Sequence, residues 1–559
     1  TAANILQKHI NAVLDKFNSD GNRHGMQVRV LEKNLPLDDI FSAKLILSIG
    51  RNRVYEKVQP DLPLQSIGDK PQGYIIKAEQ VGSSQVVFLW GETPIDNFNA
   101  AATAVQLFET DECIYHNATV IDYPDFLGRS YVFKDWKNRK ELQNDLAAIE
   151  RMRLYKLNKV YFGYNRTKKN WHQIDPLYRE GVNTAGRIFD ESGVMSLAVM
   201  VNPYSHFAMG QSAENDNARL RYTWTHSSPQ SIKMLQDVYK VGLEAGADTV
   251  MLLSDDFVPY TGKNRHNYAL YTSEDKTQFV NLQNAQAHLI NKLKQWIDED
   301  YPSTRFEFCP PWYSNEHIDR SDSKAELYFK ELTFQIPPDV AVIWTGPTIR
   351  SLSIDMADLH RYKSLIGRWP MIWDNTLYAR NLETKRYGGY TTYYPGKVRM
   401  CNLFEPYDTY KPKDFQQYNH GRQMYTNGSA YSEVYKIKYA TVADYAWNTA
   451  AYNPELSLWK ALCRTYGPAV AEKLIRFSDA YYGIYGTCMR IEIEGLKDKY
   501  INNGKNFLTD LDNFLLDISQ ALPENQRLLK ELKNFRDKQK KRLDKLSLGG
   551  TLQENTAES

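Results

Sequence analysis

Long apolar runs are missing from this chain: no stretch of about 18 consecutive apolar residues occurs, so the sequence predicts no membrane-spanning helix. Cysteine is scarce. The five cysteines, Cys113, Cys309, Cys401, Cys463 and Cys488, are odd in number and far apart, which gives neither a disulfide framework nor metal-ligand spacing. Cys309 and Cys401 sit in apolar strand-like runs and read as small core residues. An excess of one charge is also lacking, since 69 Lys and Arg against 67 Asp and Glu leave a net charge of +2. That argues against a nucleic-acid partner, which demands a concentrated basic surface. The one basic run, Lys538-Gln539-Lys540-Lys541-Arg542, reads as the side of a charged helix. A His-Glu-x-x-His, a phosphate loop and a Gly-x-Gly-x-x-Gly are all absent, so no metal and no cofactor are expected.

Aromatic residues, by contrast, are abundant: 13% of the chain, with 38 Tyr and 11 Trp. Rings that offer a flat apolar face and a polar edge suit pyranose sugars. The most informative local feature is Asp255-Asp256, which ends the buried-looking run Asp248-Thr249-Val250-Met251-Leu252-Leu253-Ser254. Like charges so close split two identical groups into one that stays ionised and one that donates a proton, the requirement of a carboxylate-driven hydrolase. The plainer reading is a cap or a loop-entry salt bridge.

At 559 residues the chain exceeds one core and implies about three domains. Residues 1–125 alternate strands (Gln27–Leu31, Lys44–Ile49, Val86–Trp90) with a small-residue helix over Asn99–Phe108, the pattern of a small α/β domain. Over 126–425 the rhythm becomes strand, helix, strand, with apolar strands beginning near Leu127, Lys159, Met195, Thr249, Arg305, Val340, Pro370 and Val398. Ser228-Pro229 opens one of the helices between them. Eight such units predict a (β/α)8 barrel whose chemistry sits beyond the carboxyl ends of the strands. Those ends carry Asp255-Asp256, Trp312-Tyr313, Trp344-Thr345 and Trp373-Asp374-Asn375. Residues 426–548 read as a helical bundle: Leu508, Leu511, Leu515, Ile518 and Leu522 share one stripe, and Leu528, Leu529, Leu532 and Phe535 another. Residues 549–559 read as a disordered polar tail.

The strand-end motifs resemble those of glycoside hydrolase family 84, the retaining β-N-acetylglucosaminidases that include bacterial relatives of the O-GlcNAc hydrolase. The resemblance rests on Asp255-Asp256, Phe308-Cys309-Pro310 with Tyr313, Ile343-Trp344-Thr345-Gly346-Pro347, Ile372-Trp373-Asp374-Asn375 and Ala440 to Asn448. It implies substrate-assisted hydrolysis through an oxazoline, an exception to the two-carboxylate scheme. On that likeness Asp255 steadies the acetamide and Asp256 is the general acid and base. Tyr313 binds the acetamido oxygen, Asn375 the acetamido side of the sugar, and Trp373 walls the N-acetyl pocket, while Trp344 supports the mouth as core. Departures fall on the outer sugar contacts: Gly128 with Arg129 where the family has a glycine-rich stretch, Tyr164 and Asn165 where it has a lysine, Arg380 where it has an acid, and Phe404-Glu405-Pro406-Tyr407 expected after strand eight. Arg donates and prefers anions, so a modified, anionic hexosaminide is one alternative. A carbohydrate-binding relative without turnover is another, and an unrelated barrel enzyme lacks the nucleophilic lysine or ligand cluster it would need. The expected partner is a glycan or glycoprotein with a terminal N-acetylhexosamine. Thr1 in place of Met fits removal of a leader, and the expected location is extracytoplasmic.

Overall fold

Apolar runs without alternation are buried on both faces only when a layer covers each side, the situation of parallel strands. The computed structural model of the chain describes residues 35–108, 119–133, 138–164, 174–193, 195–203, 225–255, 273–319, 323–349, 354–375, 414–427, 435–480, 496–523 and 525–548, with isolated positions between them. The first four strands, β1 (Leu45–Ile49), β2 (Tyr74–Val81), β3 (Ser84–Trp90) and β4 (Thr119–Asp122), form one sheet in the order β1-β3-β2-β4. The helix Pro94–Phe108 lays Ala100, Ala101 and Ala104 against Tyr74, Val87 and Leu89, small side chains letting helix and sheet approach closely. The strand expected at Gln27–Leu31 lies outside the described residues.

Eight further strands close into a barrel: β5 (Gly128–Phe133), β6 (Lys159–Tyr164), β7 (Ser196–Val201), β8 (Ala247–Leu253), β9 (Arg305–Cys309), β10 (Ala341–Trp344), β11 (Met371–Asp374) and β14 (Gln423–Thr426). Every neighbouring pair runs parallel. A two-residue antiparallel pair, β12 (Arg386–Tyr387) with β13 (Tyr390–Thr391), stands apart from it. The (β/α)8 expectation is met, with one correction. The eighth barrel strand is Gln423–Thr426 rather than a strand near Val398, whose residues lie outside the described set. Only four residues long and polar at both ends, it carries no apolar run by which to find it. In consequence Pro406-Tyr407 precedes the eighth strand instead of following it.

Alternate residues divide inside from outside. Val132, Tyr161, Met251, Leu253, Cys309, Ile343, Trp373 and Tyr425 fill the barrel, while Phe162, Val250, Leu252, Phe308 and Trp344 face the helices. Near the amino ends the lumen turns polar. The Tyr161 hydroxyl donates to Glu307 across the barrel at 2.8 Å, and Lys159 bonds Thr249 and pairs with Asp248 at 3.2 Å. Burial pushes the Glu307 carboxyl up, opposed by the charges of Lys159 and Arg305.

Beyond the barrel run the helices Tyr435–Trp447, Pro454–Tyr466, Pro468–Ala480, Leu496–Ala521 and Gln526–Ser547. Leu511, Leu515 and Ile518 bury with Leu528, Leu529 and Leu532 in one core, as their helical spacing predicts. No helix among the described residues is long and apolar enough to cross a membrane.

Arg129 ties three parts of the chain together. It is 1% exposed, on the outward row of β5. Its guanidinium donates to the carbonyls of Lys156 (2.7 Å) and Phe126 (2.7 Å) and to Gln72 Oε1 (2.9 Å), and lies 4.9 Å from the Trp447 ring. Burial lowers its pKa to about 9. Arg129→Met leaves those acceptors without their donor and is expected to cost on the order of 3 kcal/mol. A urea titration measures it; an unchanged midpoint contradicts this account.

Candidate active site

The carboxyl ends of the barrel strands gather the expected site. Continuing the inward row of β8 beyond Met251 and Leu253, Asp255 is directed to the mouth. Asn202, directly after β7 on the neighbouring strand, donates from Nδ2 to Asp255 Oδ1 and to its carbonyl, both at 3.1 Å. Ser254 falls on the outward row and accepts from Gln286 Nε2 at 3.1 Å. Asp256, Asn165 and Arg380 lie outside the described residues.

Three of the other expected residues come together. Tyr313 follows β9, and its carbonyl accepts from the Thr345 N–H at 2.8 Å, which ties it to the end of β10. Its ring meets the edge of His317 at 4.6 Å. Gly346, at a φ of +102, makes this turn possible: a Cβ there would stand 2.2 Å from Ser351 Oγ. Trp373 and Asn375 sit at the end of β11, where Trp373 Nε1 donates to Asn375 Oδ1 at 2.7 Å. Asn427 Nδ2 donates to the same oxygen at 2.9 Å, and Asn375 Nδ2 donates to the Ile349 carbonyl at 2.9 Å. The carboxamide is therefore oriented by the protein, with its second N–H left for other use. Below this layer the Tyr425 ring packs 4.2 Å from Trp373. Burial pushes its hydroxyl well up, and the charge of nearby Asp255 adds to that.

Two expected contacts are corrected. Tyr164 belongs to the outward row of β6 and packs against Tyr178 at 4.7 Å, so it faces the helix layer instead of the mouth. Gly128 opens β5 at the amino end of the barrel, paired with Gln423, and Arg129 beside it is locked in the domain junction. The stretch Leu127 to Phe133 is thus the first barrel strand itself, not the segment that follows it. Trp344, by contrast, is core as expected: it is fully buried, donates from Nε1 to Asn315 Oδ1 at 3.1 Å and stacks on Tyr362 at 5.6 Å.

Sequence reasoning missed several supports. Asn202, in Val201-Asn202-Pro203 at the end of an apolar strand, carried a signal that could have been used. Asn427 and Lys411 carried none, and Tyr407 entered only through the stretch expected after strand eight. Asp374 points outward between Trp373 and Asn375, accepting from the Tyr407 hydroxyl and pairing with Lys411 Nζ at 2.7 Å. Burial pushes the Lys411 ammonium down, opposed by Asp374. Both groups are almost wholly enclosed, so Lys411→Met removes the cation paired with a buried carboxylate. The expected loss is about 3–5 kcal/mol, with much of it recovered in the Lys411→Met, Asp374→Asn double variant. Additive losses in that thermodynamic cycle contradict the pairing.

A second buried pair flanks the mouth. Asp275 lies 2.8 Å from His226 Nδ1 and accepts the N–H groups of His226 (3.0 Å) and Ser227 (2.9 Å). Burial would raise the Asp275 carboxyl, but the hydrogen bond and charge of His226 and the backbone donors outweigh it and hold the pKa at about 2. Because the folded value lies below the unfolded one, the resulting stability is present above about pH 4 and is lost as pH falls towards 2. Wild type should therefore lose on the order of 2 kcal/mol more than Asp275→Asn over that interval. Parallel acid-unfolding curves contradict the assignment.

The structure is thus a closed parallel (β/α)8 barrel with an acid, a tyrosine and a Trp-Asp-Asn strand end at its carboxyl face, where barrels of this kind carry their chemistry. Residues 211–386 match the family model NAGidase, beta-N-acetylglucosaminidase. The Protein O-GlcNAcases of Rattus norvegicus and Mus musculus are 29% and 28% identical over 162 residues, 29% of this chain. The chain spans about 16% of the length of those curated relatives. Among solved structures, an O-GlcNAc hydrolase mutant of Thermobaculum terrenum overlays with a TM-score of 0.51 at 17% identity, covering 76% of this chain and 85% of that one. CpGH84B overlays with a TM-score of 0.56 at 16% identity over 97% of this chain and 86% of its own; these two likenesses bear on the fold. Residues 211–386 are therefore similar to the β-N-acetylglucosaminidases of that family model, and the chain shares its barrel fold with the two solved structures.

Proposed function

We propose that this protein is an exo-acting, retaining β-N-acetylglucosaminidase-type hydrolase that uses the substrate's own acetamide as nucleophile, on a glycan or glycoprotein with a terminal N-acetylhexosamine. The observation that carries the reading is Asp255, which ends the inward row of β8 clamped by Asn202 and shares the mouth with Tyr313, Trp373 and Asn375.

In this mechanism the acetamido oxygen attacks the anomeric carbon and the aglycone leaves with a proton from Asp256. Asp255 stays ionised, accepts the acetamide N–H and stabilises the positive charge that develops on the ring being formed. Its clamp by Asn202 matters because a carboxylate free to rotate would gain nothing in the transition state. Tyr313 donates to the acetamido oxygen, Trp373 walls the methyl group, and the remaining Asn375 N–H serves the sugar. Water then attacks the oxazoline at the anomeric carbon, Asp256 takes its proton, and the acetamide is restored with net retention.

Release of 4-nitrophenol is expected from the β-N-acetylglucosaminide but not from the plain β-glucoside, which lacks the nucleophile. Asp256→Asn should slow a poor leaving group about 10²–10⁴-fold. Hydrolysis of the glucoside at an equal rate contradicts acetamide assistance. No turnover of any N-acetylated substrate contradicts the activity itself.

A further inference from the structure

A cavity of about 280 Å3 opens where the amino-terminal sheet, the barrel and the helical region meet. Lys156 lies on its wall between the helix Arg139–Leu154 and the amino end of β6, so the cavity faces away from the mouth. One wall is satisfied by the protein. Asp122 Oδ2 accepts from Trp447 Nε1 (2.7 Å) and the Tyr74 hydroxyl (2.9 Å), with Lys156 Nζ at 3.9 Å. Lys156 Nζ donates to the Tyr74 hydroxyl at 2.9 Å and rests 4.0 Å over the Trp447 ring. Its backbone is held at a φ of +62, an uncommon conformation for a side-chain-bearing residue that the network fixes in place.

The opposite wall is open. Asp444 projects from the helix Tyr435–Trp447, and its side chain accepts one hydrogen bond among the described residues, from Ser457 Oγ at 2.6 Å. The carboxyl is solvent-accessible yet enclosed enough that burial pushes its pKa up against the charges of Arg464, Lys156 and Lys460. Asp444 is part of the cavity lining. Lys460, exposed on the same cavity, makes no hydrogen bond or ion pair among the described residues. Asp444 and Lys460 thus sense one another without touching. Lys156, Lys460, Arg464, Asp122 and Asp444 all line the cavity, with Lys156 and Asp122 engaged in the network of the first wall.

This unfilled pairing sets the ligand chemistry. An anionic group answers Lys460, whereas a bare anion would leave Asp444 facing an acceptor. A donor must therefore sit beside the anion, and the volume, at the lower end of small-molecule sites, limits the ligand to about the size of one sugar. We propose that the cavity is a second ligand site, for a small carboxylate bearing a hydroxyl group next to it, with the carboxylate at Lys460 and the hydroxyl donating to Asp444. This inference stands apart from the chemistry at the mouth.

Isothermal titration of the full chain with sodium L-lactate and sodium D-gluconate tests it, with sodium acetate and D-glucose as probes lacking the hydroxyl or the carboxylate. Saturable binding of a hydroxy acid is expected, at least tenfold tighter than acetate or glucose. Lys460→Met and Asp444→Asn should each weaken it about tenfold or more, while circular dichroism shows both variants folded. Absence of saturable binding by either hydroxy acid overturns the proposal. So does acetate or glucose binding equally well, or binding indifferent to both substitutions.

Discussion

Closure of the barrel at β14 is the constraint on which the remainder depends. A parallel sheet with open edges would expose unpaired backbone groups at β11 and β5; the four residues Gln423–Thr426 satisfy both, pairing Trp373 with Tyr425 on one side and Gln423 with Gly128 on the other. The seam also places Gly128 beside Gln423 at the amino end of the barrel, away from the mouth. Closure also delivers Tyr425 beneath Trp373 and Asn427 against Asn375, groups 52 residues away in sequence.

Around this frame, charge is buried in pairs and networks, each with a distinct task. Lys159, Glu307 and Tyr161 fill the narrow amino end of the lumen, where apolar side chains give way to hydrogen bonds across the barrel. Asp374 and Lys411 lock the strand that carries Trp373 and Asn375 to the chain that leads into β14. His226 and Asp275 join the start of the helix after β7 to the segment after β8. None of these need raise stability relative to apolar residues of the same volume. What they do is fix geometry, since a buried charge has few places where its partner exists.

The motifs at the strand ends were readable because the barrel maps sequence position directly to place: a residue just past an apolar run must lie at the mouth. Asp255, Tyr313, Trp373 and Asn375 obey that rule, and Trp344 obeys its corollary that the alternate residue is core. Tyr164 shows where it fails. The end of a strand is shared by two rows, and only the phase of alternation decides which faces inward; Gly163 takes the lumen position, and Tyr164 goes to Tyr178. Arg129 failed for another reason, since its guanidinium reads as an exposed cation by type and is buried only because three segments supply acceptors at once.

By itself, then, the sequence determined the barrel class, the helical faces of the carboxyl-terminal region, seven of the barrel strands and the acid, tyrosine and Trp-Asp-Asn positions at their ends. Each is written in local periodicity or in residues placed directly after it, and burial enforces such patterns wherever the chain sits. Tertiary structure alone decided the eighth strand, the row on which Tyr164 falls, the Asn202 and Asn427 clamps, the Lys411 partner of Asp374 and the cavity around Asp444 and Lys460. These depend on contacts between segments far apart in the chain, and the energy that selects them exists only once the barrel has closed.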